Sequence, residues 1–126
     1  MRVAVVRGEL LTTWEMQNYE PLGERGVEIT AFGSTLSPFS LDTLQLSMRR
    51  LLCIDPYVNR SRILRGTLGF GMGRYVGRQF LVGLENALAP FDIAYTVETH
   101  NGFVYQAARA KQRHKIKLVT LIIRAN

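Results

Sequence analysis

Glu98, Thr99, His100 and Asn101 place a carboxylate, a hydroxyl, an imidazole and an amide in consecutive positions. A carboxylate here can hold hydroxyl groups or act as a base; its competing role is to cap or to pair with a neighbouring cation. The imidazole can donate to an anionic oxygen or shuttle a proton, or simply cap the helix that follows. Asn101 reads more readily as a helix N-cap than as a ligand contact. The apolar run Ile93-Ala94-Tyr95-Thr96-Val97 precedes these groups, and small and aromatic residues at helical spacing follow, from Phe103 to Ala110. A buried strand that gives way to polar groups just before a helix is where open α/β sheets bind ligands, because strand carboxyl ends and helix N-termini converge there.

Other elements must position that stretch. Arg2 to Val6 reads as a strand buried on both faces, because Val3, Ala4, Val5 and Val6 are continuous rather than alternating. Gly8 follows, either letting the backbone approach a ligand or serving as a plain turn residue. Thr12 or Thr13 caps a segment starting at Trp14, with Glu15 in its first turn; Pro21 restricts the helix proper to about residues 18–25, and Gly26 stops it. Met16, Tyr19 and Leu22 are expected to face the sheet. Val27 to Phe32 alternates as a second strand with a more polar face, followed by a loop through Gly33-Ser34-Thr35 and Ser37-Pro38. Leu41 to Ile54 fits either a helix or, through Leu44, Leu46 and Met48, a short strand. Tyr75 to Leu88 carries the clearest helical stripe, Val76, Phe80, Leu84 and Leu88. Asn101 to Arg113 is the next helix, with Phe103, Ala107 and Ala110 on one side and Tyr105 expected in the core. Lys117 to Ile123 reads as a central parallel strand. Trp14 is either a stacking platform or, as aromatics near helix starts more often are, a packing residue.

This alternation predicts an α/β fold, a Rossmann-like parallel sheet with helices on both faces. The whole chain, 126 residues with 47% hydrophobic content, suits one domain. Because the last strand has no helix after it, that domain is expected to be incomplete. No apolar run approaches the roughly 20 residues of a spanning helix, and the apolar start of the chain is too short for a secretion signal, so a cytoplasmic location is expected. The single cysteine, Cys53, has no Cys or His at metal-ligand spacing and reads as a core residue. No metal site and no cofactor are expected.

The net charge of +6 is unevenly spread: Pro56 to Leu84 carries Arg60, Arg62, Arg65, Arg74 and Arg78 without an acid, and no acid follows Glu98. That balance suits a phosphate-bearing ligand, an anionic membrane surface or nucleic acid, without choosing among them. Gly69-Phe70-Gly71-Met72-Gly73 has a phosphate-loop look, but no strand directly precedes it and no Gly-Lys-Ser/Thr ending follows, so a basic loop is the better reading.

The opening Arg2-Val3-Ala4-Val5-Val6-Arg7-Gly8-Glu9, the segment Trp14 to Leu22 and the run Phe91 to Ala107 together resemble the N-terminal part of family 4 (group 1) glycosyltransferases, retaining enzymes of the two-domain GT-B arrangement. The likeness spans nearly the whole chain, with its segments in the family's order, and no single motif is diagnostic. It implies the acceptor-side domain, with the nucleotide-sugar donor held by a C-terminal domain on the same or another chain, and no catalysis by this chain alone. By that resemblance the partners are a nucleotide-sugar donor and a sugar or lipid-linked acceptor, with peripheral contact at the inner face of the membrane a further expectation. Carried over, Glu98 and His100 are the catalytic candidates, and Gly8, Glu9, Trp14, Glu15, Thr99 and Asn101 the substrate-binding candidates. The sequence departs from the family where many members have histidines in or after the fourth strand, here Tyr95 and Val97, and where a glycine pair often follows the first strand, here Gly8 alone. The alternative is a small basic α/β module binding nucleic acid or anionic lipid through Arg60 to Arg78. No aromatic-basic RNA signature or helix-turn-helix pattern supports the nucleic-acid form.

Overall fold

The computed structural model describes residues 1–38, 40, 42–54, 79–99 and 101–123. Among these, β1 (Arg2–Gly8), β2 (Glu28–Ser34), β3 (Ser47–Leu51), β4 (Ile93–Val97) and β5 (Lys117–Leu121) form an all-parallel sheet in the order β3-β2-β1-β4-β5. The chain therefore moves outward from β1 to β3, then returns to the other side of β1 for β4. The fold is α/β and Rossmann-like, and the order reverses between β1 and β4.

Continuous apolar residues put β1 at the centre. Ala4 and Val6 point to one face, where they meet Phe32, Ala94 and the helices α2 (Leu84–Ala87) and α3 (Gly102–His114). Val5 points to the other, with Ile29 and Ala31, beneath Leu11 and Met16 of the segment containing α1 (Thr13–Met16). Each fully buried Phe, Leu or Val side chain contributes about 1.5–3 kcal/mol of transfer free energy, so both faces carry stability. Cys53 is a buried core residue, as its burial habit suggests.

Thr12 caps α1, its hydroxyl accepting from the Glu15 N–H at 3.1 Å. The α-helix expected over about 18–25 is instead a 3-10 helix, Gln17–Arg25, with Pro21 inside it. A proline without an N–H interrupts the α-helical ladder, and i to i+3 bonding accommodates it. Gly26 ends this segment in the left-handed conformation, as expected. Tyr19 and Leu22 pack against the sheet. Burial pushes the Tyr19 hydroxyl above the ordinary tyrosine pKa, and the neighbouring Tyr95, with which it hydrogen bonds, pushes in the same direction. Raised in the folded state, this group stabilises the fold fully below the unfolded tyrosine value of about 10 and loses that contribution as pH rises beyond it. Urea unfolding across that range should show wild type losing stability more steeply than Tyr19→Phe.

Several sequence expectations are overturned. The predicted polar face of the second strand is absent, since every residue from Ile29 to Ser34 is buried, Thr30 included. Of the two readings of Leu41 to Ile54, the strand is nearer, beginning at Ser47, while Leu44 and Leu46 pack onto the core beside it. The helix expected from Tyr75 contracts to Leu84–Ala87 within the described residues. Gln79 has a φ of +69° and Gly83 of +79°, neither compatible with a continuing α-helix. Between them, Leu81 bridges Cys53 in antiparallel fashion, and the Gln106 side chain bonds both backbone groups of Leu81. Tertiary hydrogen bonds have displaced local helix propensity there.

Tyr105 is 48% exposed rather than in the core, because it sits on the outer side of α3, with Arg109 against its ring. Finally, β5 is the edge of the described sheet and not a central strand. Leu118 packs into the core below α3, whereas Val119 and Leu121, paired with Tyr95 and Val97, face outward half-exposed on the α1 side. No helix among the described residues is long and apolar enough to cross a membrane.

Candidate functional site

In a parallel sheet all strand carboxyl ends lie at one edge, which here brings Gly8 and Val97 side by side at the point of order reversal. Three left-handed residues gather at or beside that edge: Gly8 (φ +57°), Gln79 (+69°) and Glu98 (+66°). For a non-glycine residue this conformation costs about 1–3 kcal/mol, and such strain is characteristically held at functional positions.

Gly8 explains itself by close approach. A Cβ there would lie 2.4 Å from Gln79 Oε1 and 3.1 Å from the Phe103 ring. The absence of a side chain lets Gln79, itself buried, lie across the end of β1, where its Oε1 accepts from the Glu9 N–H at 3.0 Å. Its Nε2 faces Asn101 Oδ1 at 3.5 Å, the outer limit of a hydrogen bond. The Gly8 carbonyl accepts from the Ser37 hydroxyl at 2.7 Å, and Ser37 is held in turn by Arg50, whose guanidinium donates to its carbonyl at 2.6 Å. The β2 loop is thereby tied to the end of β1.

Asn101 stands at the N-cap of α3, as the sequence suggests, yet its side chain makes no cap hydrogen bond. It is 4% exposed, and its Nδ2 has no partner. Close packing of the helix start is enforced by Gly102, where a Cβ would meet the Phe80 ring at 2.6 Å.

The other candidates divide. Glu9 is exposed and takes part through its backbone. Glu15 pairs with Arg7 at 3.1 Å, tying α1 to β1. Trp14 is 76% exposed, which corrects the expectation that it packs. With Leu10, Tyr19, Tyr95, Val97 and Leu121 it lines a largely apolar groove of about 520 Å³ on the α1 side of the sheet. Glu98 follows β4; its N–H donates to the Leu121 carbonyl at 2.7 Å and its Oε1 accepts from the Ile123 N–H at 3.3 Å. The carboxylate thus caps the exit of β5. Thr99 is exposed. His100, the glycine-rich stretch Gly69 to Gly73 and the basic stretch Arg60 to Arg78 lie outside the described residues.

The fold therefore brings Gly8, Glu9 and Asn101 together on the α3 side, and sets Trp14 and Glu15 on the α1 side. Gln79 and Ser37, which connect the first group, carry no signal in the sequence that would single them out: both act through contacts to backbone atoms far along the chain. Among the described residues no cluster of His, Cys, Asp and Glu has the makings of a metal site. The chain matches no family model and no curated protein sequence.

Proposed function

We propose that this chain is the acceptor-side domain of a retaining GT-B-type glycosyltransferase, acting with a donor-binding domain to move a sugar from a nucleotide-sugar to a sugar or lipid-linked acceptor. The observation that carries the reading is the groove beneath the exposed Trp14, which runs to the carboxyl ends of β4 and β5 next to Glu98. An indole with no packing role is free to stack on the apolar face of a sugar ring, and a carboxylate at the strand end has the chemistry to receive its hydroxyl protons. The basic excess of the chain suits a phosphate-bearing donor and, at a membrane face, a lipid-linked acceptor. The working location is then the cytoplasm or the inner face of its membrane.

Supplying a donor-binding domain, fused or co-expressed, should produce sugar-nucleotide turnover that the chain alone lacks. In that reconstituted enzyme Trp14→Ala should raise the acceptor KM about tenfold, the equivalent of about 1.4 kcal/mol. The same change should leave the urea midpoint of the isolated chain almost unmoved, because exposed side chains rarely contribute more than about 0.5 kcal/mol. Glu98→Ala and His100→Ala are expected to lower turnover; undiminished activity in both would remove them from the site.

A further inference from the structure

We infer that β5 is the interface of a homodimer, in which the open edges of two copies pair antiparallel about a two-fold axis at Thr120 and the two sheets become one. This goes beyond the proposed function and does not depend on it. Within β5, Lys117 donates its N–H to the Asp92 carbonyl, and the Leu121 carbonyl accepts from the Glu98 N–H. Backbone groups alternate sides along a strand, so Val119 also turns toward β4, while Leu118 and Thr120 turn theirs to the open edge, as Ile122 does just past the strand. Among the described residues no strand lies beyond β5. Sheet edges are ordinarily guarded by charge, proline or a bulge. At the other edge β3 follows that rule, with Arg49 and Arg50 both exposed. From Leu118 to Ile123 there is neither a charge nor a proline, and the exposed side chains are apolar: Val119 and Leu121 are half-exposed, Ile122 is 56% and Ile123 63% exposed.

The residues of β5 select both the occupant and the register. About a two-fold at Thr120, Leu118 of each copy exchanges hydrogen bonds with Ile122 of the other. Val119 then stands opposite Leu121 of the other copy twice over, in the class of pair where side chains lie closest. The apolar surface of one copy thus covers that of the second, as an isologous interface requires. Charge reinforces the choice. Lys117 is the one cation of the strand, and across this axis it faces Ile123. Its own counterpart is then about 20 Å away, well beyond a screening length of about 8 Å. Parallel pairing would set the two lysines side by side, and a two-fold at Val119 or Leu118 would put Lys117 against Leu121 or Val119 and lose the double apolar match. Because the β3 edge is charged, assembly closes at two copies and does not run on as a fibre. The two sets of strands point in opposite directions, so each copy keeps its own carboxyl edge. One strand pair with its flanking side chains lies near the low end of specific interfaces, about 1,000 Å² in all, which suits a dissociation constant in the micromolar range.

The test is sedimentation velocity on the full chain from about 1 to 200 μM, with amide hydrogen exchange read by proton–nitrogen NMR at both ends of that range. A reversible monomer–dimer equilibrium is expected, and exchange at Leu118 and Thr120 should slow about tenfold at the higher concentration. Val119→Glu and Leu121→Lys each alter a half-exposed side chain, so each should leave the urea midpoint almost unmoved. Each should also lower the dimer affinity about tenfold or more, because it sets an unpaired charge against an apolar partner twice in every dimer. Mixed in equal amounts, the two variants should associate with one another at close to wild-type affinity, since the new carboxylate then stands opposite the new ammonium across the axis. The proposal is overturned if the wild-type chain stays monomeric throughout, if it forms open-ended polymers, or if dimerisation leaves exchange at Leu118 and Thr120 unchanged. It is equally overturned if either variant alone dimerises as wild type does, or if the mixed variants fail to associate. The exchange arm uses the wild-type chain, so the proposal remains falsifiable even where a variant folds poorly.

Discussion

Replacing Phe103 by alanine should cost about 3–5 kcal/mol, as deletions of large buried aromatic side chains do. Against a total stability of about 5–15 kcal/mol for a domain, that is enough to leave a substantial unfolded population at moderate temperature. The reason lies in where the ring sits. Phe103 is fully buried, in the first turn of α3, within the core that joins β1, β2 and β4 to both helices of that face. Its edge also lies against the space above Gly8 that the Gln79 carbonyl oxygen borders from another side. Removing it would open a cavity there as well as lose apolar contact. Urea unfolding checks the stability change. Phe103→Leu, which keeps most of the volume, should recover more than half of it. A Phe103→Ala midpoint within error of wild type would mean that α3 does not hold this face of the sheet.

Gly8→Ala should destabilise by about 2–4 kcal/mol, large for the addition of one methyl group. Two causes add. The positive φ of +57° disfavours any side chain, and the new Cβ would be forced against Gln79 Oε1 and Phe103. Gln79 cannot swing aside freely, because it is buried and bonded to the Glu9 N–H. Gly26→Ala separates the two contributions: its φ is +79°, but a Cβ there meets nothing within 4 Å. That variant should show only the backbone part, about 1–2 kcal/mol. If both substitutions cost the same, close approach at Gly8 contributes nothing, and the role given to it in shaping the strand end fails. The Gly8→Ala protein should also shift the Asn101 side-chain amide resonance, since displacing Gln79 breaks the contact between the two amides.

Part of this structure is legible along the chain. The uninterrupted Val3 to Val6 run identifies a strand covered on both sides, the Ile93 to Val97 run ending in polar residues gives a strand and its end, and Phe103, Ala107 and Ala110 give the buried side of α3. These signals are local: side-chain pattern and backbone geometry share a period, so the pattern reports the element. Where partners are distant the same pattern misleads. Phe80, Leu84 and Leu88 have helical spacing, yet Leu81 pairs with Cys53 and exchanges two hydrogen bonds with the Gln106 side chain, and among the described residues the helix is confined to one turn. Trp14 and Tyr105 read as packing residues, because apolarity alone does not say whether an aromatic meets the core or the solvent.

The sequence by itself determined the α/β class, the parallel strands and the polar ending of β4, because hydrophobic periodicity and a strand's polar ending are written in neighbouring residues. Only the tertiary structure decided that β1 and β4 are adjacent, that Gln79 crosses the end of β1 from 70 positions away, and that Asn101 is left with an unmet donor. Those facts depend on strand order and on which amide faces which backbone group. Neither has a local signature, since both follow from the packing of segments that the chain itself keeps far apart.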